Sequence, residues 1–364
     1  MINRLQQRFT AHLDPLLMTA LGALMLISLV LIYSASGGST DRVLGQLMNI
    51  VVAFTALWLV ANMPLHYLIR SAVPIYIVGM ILLLGVAFFG EIQNGARRWL
   101  NLGVATIQPS ELMKIAVPLM MAWYFERHEA TLALKNYFIA ALLLAVPFAL
   151  IIRQPDLGTA LLICASGFYV LFLAGLSWRI MIAIAVTALA SAPFLWNVLH
   201  DYQRQRIMML FDPSQDPLGK GYHTIQGMIA VGSGGMLGKG YLNGTQTHLE
   251  FLPERTTDFI FAVYSEEFGL LGNLILLSIY LLIIWRGFII TANASTYFTR
   301  LMAGSITLTF ATYMFVNMGM VSGILPIVGV PLPLISYGGT SMLTLYLGFG
   351  MLMSIHSHKT LVQS

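Results

Sequence analysis

Asp258 closes a polar segment and opens the apolar run Phe259, Ile260, Phe261, Ala262 and Val263. Taking an ionised side chain out of water is costly unless it is paired or faces a wet cavity, so a carboxylate at the mouth of an apolar helix is a functional candidate by default. Glu254 and Arg255 stand just before it, and Glu266 and Glu267 follow at helical spacing, in a chain of which only 9% is charged. An aspartate in a half-dry pocket can act as a general base, and nearby cations can stabilise an anionic leaving group such as pyrophosphate. These residue types suit transfer of a group from such a leaving group to a hydroxyl. No Gly-x-Ser-x-Gly elbow occurs and Cys164 is flanked by apolar residues, so a nucleophilic triad has no support.

Other segments could serve the same chemistry. In Gln108-Pro-Ser-Glu-Leu-Met-Lys114, Pro109 and Ser110 suit a helix start, and Glu111 and Lys114 share one face at i, i+3. They are either a polar wall of a substrate cavity or an ion pair that neutralises itself so that the helix can insert. Arg97 and Arg98 beside Trp99 form either an interfacial anchor or a clamp for phosphate oxygens. Asp156, in Gln154-Pro-Asp-Leu-Gly-Thr, suits a helix cap or an arginine partner better than a catalyst. Pro326, Pro331 and Pro333, followed by Ser336-Tyr-Gly-Gly, read as a broken, re-entrant turn. The glycine-rich segment 232–240 lacks the strand, helix and spacing of a nucleotide fingerprint, which leaves Lys239 as a candidate for an anionic headgroup. His223 and His248 are too isolated to make a metal site.

Membrane helices must position these residues. A chain of 364 residues that is 58% hydrophobic, with a mean hydropathy of +0.79, is far too apolar for a soluble domain. About 20 apolar residues span a hydrocarbon core of about 30 Å. Runs of that kind begin near Pro15, Val43, Ala72, Ser110, Tyr137, Leu157, Arg179, Phe259, Leu301 and Thr340. Long runs without alternation mean helices, so the expected fold is an all-α polytopic membrane protein of about ten transmembrane helices. The first run follows Arg4 and Arg8 but lacks a convincing cleavage site, and Asp14 and Pro15 introduce it as a helix start, so it reads as retained.

With the N-terminus inside, the short inner connections receive Arg4, Arg8, Arg70, Arg127, Lys135, Arg179, Arg286, Arg300 and Lys359. The outer ones receive only Arg42, Arg97, Arg98 and Arg153, so both termini are expected in the cytoplasm. The net charge of +4 fits anionic membrane surfaces, and no basic, aromatic-interleaved surface supports nucleic-acid binding. Nothing divides the chain, which reads as one domain, 1–364, with a large extracytoplasmic loop, 200–258, between helices 7 and 8. Within that loop 202–211 has the pattern of a short amphipathic helix. The elaborated segments all fall on the outer side, which makes it the working face.

Taken together, Gly95-Ala-Arg-Arg-Trp-Leu, Gln108-Pro-Ser-Glu with Lys114, Gln154-Pro-Asp-Leu-Gly-Thr, Pro253-Glu-Arg-Thr-Thr-Asp258-Phe and Pro331-Leu-Pro-Leu-Ile-Ser-Tyr-Gly-Gly resemble the SEDS family (shape, elongation, division and sporulation). The likeness covers nearly the whole chain. Asp201-Tyr-Gln-Arg-Gln-Arg-Ile-Met-Met-Leu and the short N-terminal tail resemble its elongation member more than its division member. The resemblance implies a ten-helix bundle and a peptidoglycan glycosyltransferase that polymerises lipid II and releases undecaprenyl diphosphate, in the bacterial cytoplasmic (inner) membrane. It puts the essential carboxylate on Asp258 and cavity positions on Arg98, Glu111, Lys114, Asp156 and Ser336. Thr256 and Thr257 stand where other members often carry His-Thr or Ser-Thr. A class B penicillin-binding protein, a transpeptidase, and the elongation machinery are the implied partners. A divalent cation is a further candidate for the leaving-group charge, with no ligand set legible. A lipid II flippase or transporter and a non-catalytic scaffold for wall synthases are the alternatives; a transporter is expected to show broken helices in paired halves near the midplane.

Overall fold

The computed structural model describes residues 12–93, 96–101, 106–154, 156–198, 204, 208, 220–248 and 254–358. The amphipathic segment expected at 202–211 and the turn Pro253 therefore lie outside the described residues, save Arg204 and Met208. In chain order the helices are α1 (Pro15–Ala35), α2 (Thr40–Ala61), α3 (Leu65–Phe89), α4 (Pro109–Arg127), α5 (Leu134–Ile152), α6 (Leu157–Leu173), α7 (Trp178–Val198), α8 (Lys220–Ser233), α9 (Thr245–His248), α10 (Ile260–Ala292), α11 (Tyr297–Val321) and α12 (Gly339–Ser357). Ten helices start near the ten apolar runs; α8 and α9 are additional, both within the long loop. Six of them, α1, α2, α3, α5, α10 and α11, are long and apolar enough to cross a membrane.

The fold is helical, but not purely so. Between α3 and α4 runs a small antiparallel sheet in the order β1 (Glu91–Gln93), β2 (Ala96–Asn101), β3 (Thr106–Ile107). β2 pairs on one side through Leu100 with Ile107 and on the other through Trp99 with Glu91. The helical expectation holds for the long segments, and this connection adds a small sheet to it. Its longest strand, β2, has six residues, too few for a periodic signal to stand out from a loop.

α4 is the central helix. Most of it is buried, including the charged residues Glu111 and Lys114, with only Arg127 at its end exposed, and it packs against α3, α5, α6, α11 and α12. A helix without a solvent- or lipid-facing stripe belongs at the middle of a bundle. At one end of the bundle, the fully buried Asp14 caps α1, accepting from the Leu17 amide at 2.9 Å. The same carboxylate accepts from Arg286 of α10 at 2.6 Å, with His356 of α12 at 3.4 Å. Burial alone would raise the Asp14 carboxyl, but Arg286, the helix amide and His356 outweigh it and hold it below the usual carboxylate range.

At the other end α10 is broken. Gly269 sits at φ 64°, so 260–268 and 270–292 are two helical pieces meeting at a kink. The segment 234–240 straps this break. Lys239 and Gly240 amides cap the carbonyls of Glu266 and Glu267 at 3.0 Å, and Gly235 and Met236 carbonyls accept from Leu270 and Leu271 at 2.9 and 3.1 Å. A broken helix leaves orphan groups on both sides of the break, and one strand of irregular backbone satisfies both sets. Side chains complete the strap: Lys239 pairs with the buried Glu266 at 2.7 Å, and Ser34 at the end of α1 donates to the buried Glu267.

Candidate functional site

Asp258 lies in the turn that leads into α10, one residue before its N-cap Phe259. It is half-buried. Two other segments hold this turn. Asn317 of α11 donates from one amide group to the main-chain carbonyls of both Asp258 (2.9 Å) and Val330 (2.7 Å). The 330–338 turn then locks onto it: the Tyr337 amide donates to Thr256 O at 2.8 Å, and Ser336 Oγ donates to Thr257 O at 2.7 Å. Ser336 Oγ also accepts from the Leu332 amide at 2.7 Å, and its residue is buried. Its hydroxyl is thus engaged on both sides, which makes Ser336 a positioning residue for the Asp258 turn. Two of the three non-glycine residues in the left-handed region among the described residues fall on these segments, Glu254 (φ 52°) and Leu334 (φ 66°); the third, Leu242 (φ 64°), follows the strap.

The start of α6 abuts this assembly. A Cβ on Gly158 would lie 3.3 Å from Val330 Cγ2, and one on Gly329 would stand 3.5 Å from Asp258 Oδ2. Asp156, buried just before α6, caps it by accepting from the Thr159 amide at 3.2 Å. Its other oxygen meets Gln108 Nε2 at 3.1 Å and Arg98 at 3.8 Å. Arg98, one-third exposed and carried by β2, is the cation that reaches Asp156. The small sheet therefore delivers a guanidinium to the rim of the site.

Beneath lies a second charged layer. Glu111 and Lys114 pair at 2.6 Å, both buried, with Thr344 of α12 reaching the other Glu111 oxygen at 3.3 Å. Lys114 Nζ sits 5.2 Å from the centre of the Tyr313 ring, and Tyr313 packs with Leu162 and Val330. Val330 thus separates the Lys114 layer from Asp258 while touching the groups that hold both. A cavity of about 40 Å³ opens beside Lys114 and Tyr313 between α4, α11 and α12.

Of the residues singled out from the sequence, Asp258, Arg98, Glu111, Lys114, Asp156 and Ser336 are drawn into this linked assembly. Lys239 is not among them, because its ammonium is engaged by Glu266 and Thr245 at the strap. That pairing counts against a headgroup role. Sequence reasoning missed Arg42, which donates to Thr256 at 3.2 Å and lies 5.5 Å from the Tyr337 ring centre. It missed Tyr313 and Asn317 as well, which share one face of α11 at a spacing of four. Among the described residues no three His, Cys, Asp or Glu side chains gather as metal ligands, so no ligand set for a divalent cation is assigned.

A helical frame with six membrane-length apolar helices, and a charged site near one end, defines a multi-pass membrane protein. The chain belongs to the SEDS family: the cell cycle protein model FtsW/RodA/SpoVE matches residues 11–361. It is 52% identical over 355 residues to the peptidoglycan glycosyltransferase MrdB of Escherichia coli (strain K12), covering 96% of this chain and 95% of that protein. The MrdB of Helicobacter pylori (strain ATCC 700392 / 26695) is 37% identical over 96% of this chain and 92% of its own length. Among solved structures, a chain from a peptidoglycan synthase complex that coordinates polymerization and crosslinking matches with a TM-score of 0.83 at 31% identity, over 96% of this chain and 98% of that one. The rod shape determining protein RodA of Thermus thermophilus matches with a TM-score of 0.72 at 26% identity, over 96% and 98%.

Proposed function

We propose that this chain is a peptidoglycan glycosyltransferase of the RodA type, polymerising lipid II into β-1,4-linked glycan strands with release of undecaprenyl diphosphate, for cell elongation and rod shape. The observation that carries this reading is the 52% identity to a peptidoglycan glycosyltransferase across 96% of the chain. In the proposed reaction Asp258 takes the proton of, or orients, the 4-hydroxyl of an acceptor GlcNAc. That oxygen bonds to the anomeric carbon of the donor MurNAc, whose bond to the diphosphate breaks with the electron pair leaving on the diphosphate, and the configuration inverts. Arg98, and with it Lys114, meets the charge that develops on the leaving group. The Lys114–Glu111 pair is self-neutralised, so Arg98 is the more available cation.

The setting is the bacterial inner membrane, with the ten long helices as spans, both termini cytoplasmic and the 200–258 loop outside. A class B penicillin-binding protein is the proposed partner, supported by the likeness to a chain of a polymerising and crosslinking complex. A flippase gains little from the break in α10, because the break stands alone among the described helices rather than in paired halves.

Polymerisation of lipid II by the purified protein with its partner tests the reading. Asp258→Asn is expected to abolish glycan chains while thermal unfolding and partner binding stay at wild-type levels. Substantial residual polymer would remove Asp258 from the catalytic role; lipid movement without polymer from the wild type would favour transport.

A further inference from the structure

The direction in which a side chain leaves the backbone is set by the two peptide planes that flank its Cα, because each plane is rigid and only φ and ψ turn between them. Both planes flanking Asp258 are held. In the plane before it, Thr257 O accepts from Ser336 Oγ at 2.7 Å. In the plane after it, Asp258 O accepts from Asn317 Nδ2 at 2.9 Å, and the Phe259 amide at the other edge donates to Glu254 O at 3.2 Å. The second plane is thus pinned at both edges, one by the turn's own backbone and the other by a side chain of α11.

Asn317 is fully buried. The two groups it bonds, Asp258 O and Val330 O, are carbonyls that only accept, so the orientation of its amide is dictated and the NH2 faces them. No other residue type of this size offers two N–H donors from one neutral group. The turn 330–338 takes three further bonds from buried side chains. Tyr280 of α10 donates to Pro333 O at 2.7 Å, Ser28 of α1 to Ile335 O at 2.8 Å and Gln46 of α2 to Ser336 O at 3.2 Å. Irregular backbone inside a helical bundle needs such donors. Those three bond the turn and not Asp258; Asn317 bonds both.

We infer that Asn317 is a positioning residue for the proposed transfer: by holding the peptide that follows Asp258, it fixes the direction of the carboxylate toward the acceptor hydroxyl. The inference rests on Asp258 being the group that takes or orients that proton. With the second plane released, rotation about the N–Cα bond of Asp258 is no longer opposed, and Cβ turns with it. The groups that bind the substrate elsewhere stay where they are. A displacement of about 1 Å at a reacting group costs about a hundredfold in rate, whereas binding made away from it is untouched. The signature is a fall in kcat at nearly constant KM.

Initial rates of glycan formation over a range of lipid II concentrations, on the full-length protein with its partner, test this. Asn317→Leu removes both donors and is expected to lower kcat about a hundredfold with KM nearly unchanged. Asn317→Asp keeps the shape and offers at most one O–H, so its kcat is expected between that of Asn317→Leu and the wild type; it carries the test where Asn317→Leu fails to fold. Tyr280→Phe deprives the same turn of one buried hydrogen bond without reaching Asp258, and is expected to lower kcat far less. Deuterium exchange, read by mass spectrometry on peptides covering 254–262, needs no activity. It is expected to rise in both Asn317 variants and to stay at the wild-type level in Tyr280→Phe. A raised KM at unchanged kcat, a loss in Tyr280→Phe as large as in Asn317→Leu, or unchanged exchange at 254–262 in the Asn317 variants would each overturn the assignment. Polymer from Asp258→Asn would overturn the catalytic reading instead, and the exchange result would still decide whether Asn317 holds the turn.

Discussion

Lys114 and Glu111 illustrate how a buried charge is kept only while its partner remains. Both side chains are buried and pair at 2.6 Å, so removing one leaves the other uncompensated, at a cost of about 3–5 kcal/mol. Lys114→Met is therefore expected to lower the unfolding temperature sharply in detergent, while adding Glu111→Gln restores most of the loss. If the double variant is as unstable as the single one, the pair is not the source of the effect. Arg98 and Asp156 are different, because their separation is 3.8 Å and Arg98 is one-third exposed. Such a loose pair contributes about 1 kcal/mol or less, so Arg98→Gln is expected to leave the melting temperature nearly unchanged while slowing glycan formation. The i, i+3 pairing and the capping role of Asp156 were legible in sequence because both are local. Arg42, Tyr313 and Asn317 were not, since each acts through a segment far away in the chain: Thr256, Lys114 and Asp258.

At the scale of elements, the break in α10 shows what local reading could not reach. The segment 232–240 stood out in the sequence as glycine-rich, but the task of Gly234 and Gly238 is close backbone approach. A Cβ on Gly238 (φ 79°) would lie 2.6 Å from the Phe268 amide nitrogen, whereas Gly235 (φ 56°) has open space around it. Gly235→Ala is expected to cost only the left-handed penalty of about 1–2 kcal/mol. Gly238→Ala adds a clash with backbone that cannot yield, so it is expected to destabilise more and to open the strap to protease; equal melting temperatures for the two would refute the close approach. The opposite end of the bundle responds to acid. The folded Asp14 carboxyl titrates below its ordinary value of 3.8, so the unfolded chain takes up the proton first and stability falls as pH drops through the lower folded value. Above the ordinary value the full contribution is present. Asp14→Asn is expected to flatten this acid-side decline, as read by melting temperature against pH, and an unchanged slope would locate the dependence elsewhere.

For the whole molecule, hydropathy made the ten long helices legible, all but α3 to within four residues of their starts and α3 seven residues late, because a run of apolar residues is a local property of chain composition. The sheet that carries Arg98 and the lack of any buried side chain among the described residues of α7 were not legible: the first is too short for periodicity, and the second depends on what fails to pack. The proposed orientation rests on the same ten helices. In the proposed ten-span reading Asp14 and the end of α12 share one side, where Arg286 and His356 join them at Asp14. The connections at that side bear Arg70, Arg127, Lys135, Arg179 and Arg300, against Arg42, Arg97, Arg98 and Arg153 opposite, a charge bias that supports the proposed cytoplasmic placement. Asn243, just past the strap, lies at the other end, since Tyr241 donates to Val30 O and Ser34 meets Glu267 near the close of α1. Thr131 and Asn243 are both exposed and lie on opposite ends. In a Cys164→Ser background, Asn243→Cys is therefore expected to react with a membrane-impermeant maleimide on intact spheroplasts, and Thr131→Cys only after permeabilisation. Labelling of Thr131→Cys from outside would invert the molecule and move Asp258 to the cytoplasmic face, away from any extracytoplasmic glycan.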